Sequence, residues 1–282
     1  MRSYDIVIYS DSETYTRTVK DFLEQQEAEN GFFLSVLTRL NDAPSCATPF
    51  MAQVKSGSAT VSAAIYRELN LFITRGPEEV WPIVVSKLKD IGTDIPGVVG
   101  PAVEAQLFAT AWAQIRGCES YLTVDQRLYR LTQVDRPVGI PGNARLVTEN
   151  DAETLTQWIQ EYYREATPWE MPTFEQIREN AENRIPLRLT FFWEVEGKAV
   201  AMAALARPSA RGIAVNTVYT APEHRRHGYA TALVAAVSAE GLGRGKEFCI
   251  LYTDLTNATS NSIYQKIGYK PLSDWRNYRF RN

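Results

Sequence analysis

The stretch PEHRRHGYATAL, residues 222–233, gathers both histidines of the chain, His224 and His227, with Arg225 and Arg226, directly ahead of residues spaced as a helix. A helix begins with unsatisfied N–H groups and a partial positive charge, so cations there are unfavourable unless an anion joins them. Gly228, followed by Ala230 and Thr231, lets backbone N–H groups come close to a ligand. A phosphate would use those donors and the helix dipole together and would neutralise the cations. On spacing alone the stretch reads equally well as a solvated basic loop.

Other reactive residue types lead to less. Cys46, Cys118 and Cys249 are widely spaced with no CxxC pair, which suits a reducing compartment and gives neither a disulfide framework nor a zinc site. Cys249 lies in the apolar run EFCILYT and reads as a core thiol, and no histidine outside 222–233 remains to pair with it as a Cys/His hydrolase. Two histidines so close to arginines make no convincing metal site, so no metal is expected. Neither GxGxxG nor GxxxxGK[ST] occurs, which leaves dinucleotide and nucleoside-triphosphate folds without support.

The chain has 282 residues, 45% of them hydrophobic, with a net charge of −3. That length favours about two domains, and the charge argues against a nucleic-acid binder. No apolar run approaches the roughly 18 residues that span a bilayer, so no membrane association is expected. Asp5 interrupts the first apolar run, which is not expected to act as a signal peptide, and the expected setting is the cytoplasm.

The elements that must position the basic loop fall in two halves. VDRPVGIPGNAR, residues 134–145, reads as a linker, giving domains at 1–135 and 145–282 joined by 136–144. After it, Arg145–Thr148 reads as a strand, Thr148 with Asp151 and Thr173 with Gln176 as helix starts, and LRLTFFWEV, AVAMAALA and IAVNTVYT as strands. A helix follows from Tyr229, then the buried strand EFCILYT, a short helix ending at Gly268 and a last strand with an edge proline, the order β-α-α-β-β-β-α-β-α-β. In the first half 14–29, 31–40 and 78–90 read as helices, and MAQV, ATVSAAIYR and LNLFITR as strands. PGVVG reads as a tight turn into a long helix marked by Val103, Leu107, Ala111, Trp112 and Ile115, and SYLTVDQRLYRL as the last strand of that half. The fold class is α/β (α+β).

VYTAPEHRRHGYATALV closely resembles the pyrophosphate loop of the GNAT superfamily of N-acetyltransferases, whose Arg/Gln-x-x-Gly-x-Gly/Ala pattern falls on Arg225, Gly228 and Ala230. YTDLTNATSNSIYQKIGY is similar to the second cofactor segment of that superfamily, with Asn257, Tyr264, Gly268 and Tyr269 in the matching places. The resemblance covers residues 145–282 and implies a mixed central sheet there, while 1–135 resembles a degenerate copy of the same fold. It also implies an acetyl-CoA cosubstrate and an amine acceptor on a small molecule, peptide or protein. The strand of Val218, Tyr219 and Thr220 would diverge from FCILYT, and main-chain groups of Val218 and Thr220 would bond the pantetheine. Arg225, Arg226, His227, Gly228, Tyr229, Ala230 and Thr231 would hold the pyrophosphate, and Asn257 the pantetheine from the other side. Tyr264 would be the general acid, its ordinary pKa of about 10 keeping the proton until a thiolate appears.

For a general base the candidates are Glu194, Glu223 and Asp254, each of which reads more readily as a solvated or structural charge. The position where many relatives carry a strand carboxylate is Tyr252 here, so base duty falls to Glu194 through water, or to no side chain if the amine arrives neutral. Two other functions stay open: a non-enzymatic CoA-binding sensor in which Tyr264 merely packs, and a phosphate-binding interaction module.

Overall fold

The structure, a computed structural model, describes residues 3–42, 50–67, 69–167 and 171–281. Cys46 and residues 168–170 lie outside the described residues. In chain order the first elements are β1 (Asp5–Tyr9), α1 (Ser12–Gln25), α2 (Glu27–Asp42), β2 (Met51–Ser56), β3 (Ala59–Arg67) and β4 (Asn70–Ile73). Then come α3 (Val80–Asp90), β5 (Gly97–Pro101), α4 (Ala102–Arg116), β6 (Glu119–Leu131), β7 (Asn143–Leu146), α5 (Ala152–Ala166) and α6 (Phe174–Leu187). The last are β8 (Thr190–Val195), β9 (Lys198–Ala206), β10 (Gly212–Thr220), α7 (Tyr229–Gly243), β11 (Phe248–Asp254), α8 (Ala258–Lys266) and β12 (Lys270–Arg281). Among the described residues no helix is long and apolar enough to cross a membrane.

Two compact units form: residues 1–128 with 253–256 and 271–282, and residues 129–252 with 257–270. The first unit orders its strands β1-β2-β3-β4-β5-β12-β6, with β4 and β5 parallel. Its core holds Trp81, Val84 and Leu88 of α3 with Phe108 and Trp112 of α4. Tyr15, Val19 and Leu23 recur every four residues on α1 and bury a second cluster against β2 and β3. Pro82 sits in the first turn of α3, where its missing N–H breaks no helical bond.

Three sequence expectations are corrected in this unit. PGVVG is a strand rather than a turn, pairing with β4 on one side and β12 on the other. A Cβ on Gly97 would stand 2.7 Å from the Tyr278 carbonyl, so glycine is what lets the backbones approach. The buried face of α4 carries Ala105, Phe108, Ala109 and Trp112, leaving Val103 exposed. β12 is an interior strand, and its Pro271 is tolerated because it stands at the strand's start. β1, which the interrupted apolar run did not signal, pairs with β2.

The second unit orders β11-β10-β9-β8-β7, antiparallel except for β10 with β11. Tyr129 and Leu131, at the end of β6, are buried in its core beside Leu233, Val237, Cys249 and Ile267. Each unit therefore contains a strand segment from the far half of the chain. Thr148 with Asp151 and Thr173 with Gln176 both form capping boxes, fixing the starts of α5 and α6. Glu196 and Gly197, at φ +49° and +75°, make the tight β8–β9 turn. Leu155, Trp158 and Ile159 of α5 pack on Phe192 and Tyr219, covering one sheet face. α7 and α8 cover the other. Residues 134–142 carry no regular element.

Candidate functional site

Between β10 and α7 the backbone turns left-handed twice, at Arg226 (φ +65°) and Gly228 (φ +82°). Alternation of this kind aims successive N–H groups at one point, the arrangement that binds anions. Gly228 is the N-cap of α7, no side chain caps that end, and no acidic residue occupies its first turn. A Cβ on Gly228 would lie 2.9 Å from Ile140 Cδ1, so the linker residue packs beneath the loop, but it is the φ of +82° that calls for glycine. His227 stacks on Tyr229 with ring centroids 5.4 Å apart and planes 14° apart, and its Nδ1 lies 3.3 Å from the His224 carbonyl. Arg226 and His227 are exposed, and Tyr229, Ala230 and Thr231 are half-buried.

β10 leads into this loop through a bulge. Its pairing with β9 shifts between Asn216 and Tyr219, where Thr217 takes φ +51°. Its parallel register with β11 runs over Gly212–Ala214 and Phe248–Ile250, while β10 continues to Thr220 and β11 to Asp254. Val218, Tyr219 and Thr220 thus lie past the end of the β11 register, with Tyr219 and Thr220 still held by β9. Tyr219 faces α5, its ring 5.9 Å from Trp158.

α8 starts where Asn257 Oδ1 accepts from the Ser260 N–H at 3.0 Å. Two turns on, Tyr264 is buried between Tyr129 and Tyr269, at centroid distances of 6.4 and 6.1 Å. Burial raises the Tyr264 phenol above the usual tyrosine value, Tyr162 adds to the rise, and hydrogen bonding with Ser260 offsets part of it. The group stays protonated across the physiological range, and the same burial makes it a weaker acid than a free tyrosine. Cys249 is a core thiol, donating to the Ser238 carbonyl at 3.4 Å and pushed up to about 12 by burial.

Several residues singled out from sequence have other partners. Arg225 makes a two-pronged pair with Glu165 of α5, at 2.6 and 2.8 Å, and its Nε donates to the Thr220 carbonyl at 3.0 Å. Glu165 holds its proton on the guanidinium more firmly than usual. Glu194 pairs with Arg145 across the β7–β8 ladder, and Arg145 also grips Asp151 with two bonds of 2.8 Å. Asp254 accepts from the Thr256 N–H at 2.7 Å, a local turn bond. Glu223 is exposed on the loop. The loop, the bulged strand, Asn257 and Tyr264 all belong to the second unit. Thr217, which makes the bulge, had no sequence signal: a β-branched residue at positive φ is against local preference and is imposed by the strands on either side.

Residues 152–269 match the model of the acetyltransferase (GNAT) family. Among solved structures the chain is similar to a GCN5-related N-acetyltransferase from Sphaerobacter thermophilus, at 15% identity over 98% of this chain and 95% of that one, with a TM-score of 0.64. It is also similar to an acetyltransferase of the GNAT family from Colwellia psychrerythraea, at 11% identity over 98% of both chains and a TM-score of 0.61. No curated protein matches. The GNAT domain at 152–269 and the near-complete structural coverage agree with a GNAT fold in the second half and a GNAT-like first half.

Proposed function

We propose that this protein is an N-acetyltransferase that moves an acetyl group from acetyl-CoA to an amine held with it in a ternary complex. The observation that carries this is the uncapped start of α7, with Arg226 and Gly228 left-handed, immediately after a strand whose parallel register has ended. A polyanion suits the first feature and an extended amide chain the second. In this reading the N–H groups from Arg226 to Thr231 receive the pyrophosphate. Main-chain groups of Val218 and Thr220, on the strand of Tyr219, receive the pantetheine amides, and Asn257 borders them. Arg225 contributes by shaping the loop through Glu165 and Thr220 rather than by direct charge. The division into a non-catalytic 1–135, a linker at 136–144 and a catalytic 145–282 belongs to the same proposal, as does a cytoplasmic setting.

Acetyl-CoA supplies an acetyl group activated as a thioester. The acceptor nitrogen forms the new N–C bond as the C–S bond breaks; Tyr264 gives its phenolic proton to the departing sulfur and recovers one from solvent, which also takes the proton lost by nitrogen. Glu194 is already engaged in an ion pair with Arg145 and is not free to face an acceptor amine. The amine therefore arrives neutral in this reading. The burial of Tyr264 favours one rival, a CoA-binding sensor in which the ring only packs. Tyr264→Phe decides between them: it keeps the ring and deletes the acid. Expected is a kcat loss of roughly 100-fold with acetyl-CoA affinity unchanged. Undetectable transfer by the native chain to any amine supports the sensor.

A further inference from the structure

On α6, Arg184 reaches from the helix to the bulge of β10. Its Nη1 donates to Thr217 Oγ1 at 3.2 Å, and its Nε to Asn180 Oδ1 at 2.8 Å. Both partners are neutral, and among the described residues no carboxylate pairs with it. The contrast with other arginines is direct. Carboxylates raise the pKa of Arg75, Arg145, Arg225 and Arg276, whereas burial lowers that of Arg184, with Tyr163 and Tyr162 the opposing influences. A half-buried guanidinium bonded only to neutral groups gains when a carboxylate completes the pair.

Its place in the fold is specific. Thr217 is 6% exposed and stands next to Val218, the first residue whose main chain the preceding reading gives to the pantetheine. Tyr162 and Tyr163 of α5 and Ile185, the residue after Arg184, pack against the cluster that holds Tyr219. A group bonded to Arg184 therefore lies beside the strand that the preceding reading gives to the pantetheine.

We propose that Arg184 receives a carboxylate carried by the acceptor, so that the acceptor class is an amine with a carboxylate a few bonds away, the amino-acid class. This inference rests on the acetyltransferase reading. Thr217 positions the guanidinium.

The test uses the full chain, acetyl-CoA, and a panel of amino acids each paired with its carboxamide, reading CoA release. The free acids should show about tenfold or more higher kcat/KM than the amides, because a site built to bond a substrate group rejects the analogue lacking it. Arg184→Gln should erase the preference and leave the KM for acetyl-CoA unchanged, while Arg184→Lys should keep part of it. Equal or better turnover of amides, or a preference that survives Arg184→Gln, overturns the proposal. If no acceptor is turned over, the acetyltransferase reading fails by itself. Calorimetric titration of the same acids and amides then decides this inference: acid-selective binding lost in Arg184→Gln sustains it, and its absence ends it.

Discussion

The loop after β4 and the loop after β10 occupy the same place in the order of elements, and they carry opposite charge patterns. After β10 come Arg225, Arg226 and His227, two left-handed residues and a helix start with no acid in its first turn. After β4 comes TRGPEEV, in which Pro77 lacks an N–H and Glu78 and Glu79 precede α3. Its one cation, Arg75, is already held by Glu29 at 2.8 Å and lies 3.9 Å from Glu104. A cavity of about 310 Å³ beside it is lined by Phe22, Gln26, Arg75 and Glu104. The charged groups of that concavity are the Glu104 carboxylate and an arginine already paired with carboxylates, so it offers a polyanion no free cation. Fold order alone does not make the two loops alike; the left-handed backbone at Arg226 and Gly228 and an acid-free first turn set the second apart from the first.

The contrast is broken most severely by removing the glycine on one side only. Gly228→Val forces a β-branched residue into φ +82° and drives its Cβ against Ile140, and acetyl-CoA affinity should fall by about 100-fold or more. Gly76→Ala meets Ser62 Cβ at 2.9 Å and should lower the melting temperature without touching affinity. Calorimetry and thermal unfolding on both variants check the pair; equal affinity losses would mean that both loops bind. Titration of the native chain should give one CoA per chain.

A smaller effect is expected from charge alone. Arg226→Glu keeps the loop short of one cation and adds an anion, and affinity should drop about tenfold, more at low salt than at high. Glu79→Arg should leave the stoichiometry at one, since Pro77 still withholds its donor. A second site appearing in a titration of Glu79→Arg would show that charge, not backbone, silences the first half.

The smallest change concerns the carboxylates that do not line the loop. Glu194→Gln should hold kcat within about threefold with an unshifted pH profile, because its charge is spent on Arg145. A loss beyond about tenfold would return Glu194 to base duty. The same network predicts an acid limb of stability. Arg145 lowers Asp151 from 3.8 to about 2, so its contribution, on the order of 2 kcal/mol, is complete above pH 4 and disappears as pH falls towards 2. Asp151→Asn should flatten that limb in urea titrations at each pH.

What could be read from the chain was what local chemistry writes into it. The Thr148 and Thr173 caps, the tight turn at Gly197 and the glycine before α7 each depend on residues within a few positions. What escaped depends on distant partners. Arg225 meets Glu165 across 60 residues, and Arg145 meets Glu194 across 49. No spacing rule announces either pairing, and together they change which charges are open to a ligand. PGVVG became a strand only because β4 and β12 flank it, and Thr217 entered a forbidden-looking backbone region only because β9 requires a bulge there.

The origin of β12 and β6 governs how the polypeptide can be made. Residues 271–282 supply a strand between β5 and β6 of the first unit, some 170 residues after β5 in the chain. The N-terminal sheet is therefore incomplete until residues 271–282 have been synthesised, and domain-by-domain folding on the ribosome, the common route for long chains, is closed to it. Its nascent β5 edge must stay unpaired for the synthesis of well over a hundred residues, a window for aggregation that chaperone binding would have to cover. Cutting the chain at the linker removes Tyr129 and Leu131 from the second core as well, so neither half is a heritable module that recombination could transplant by itself.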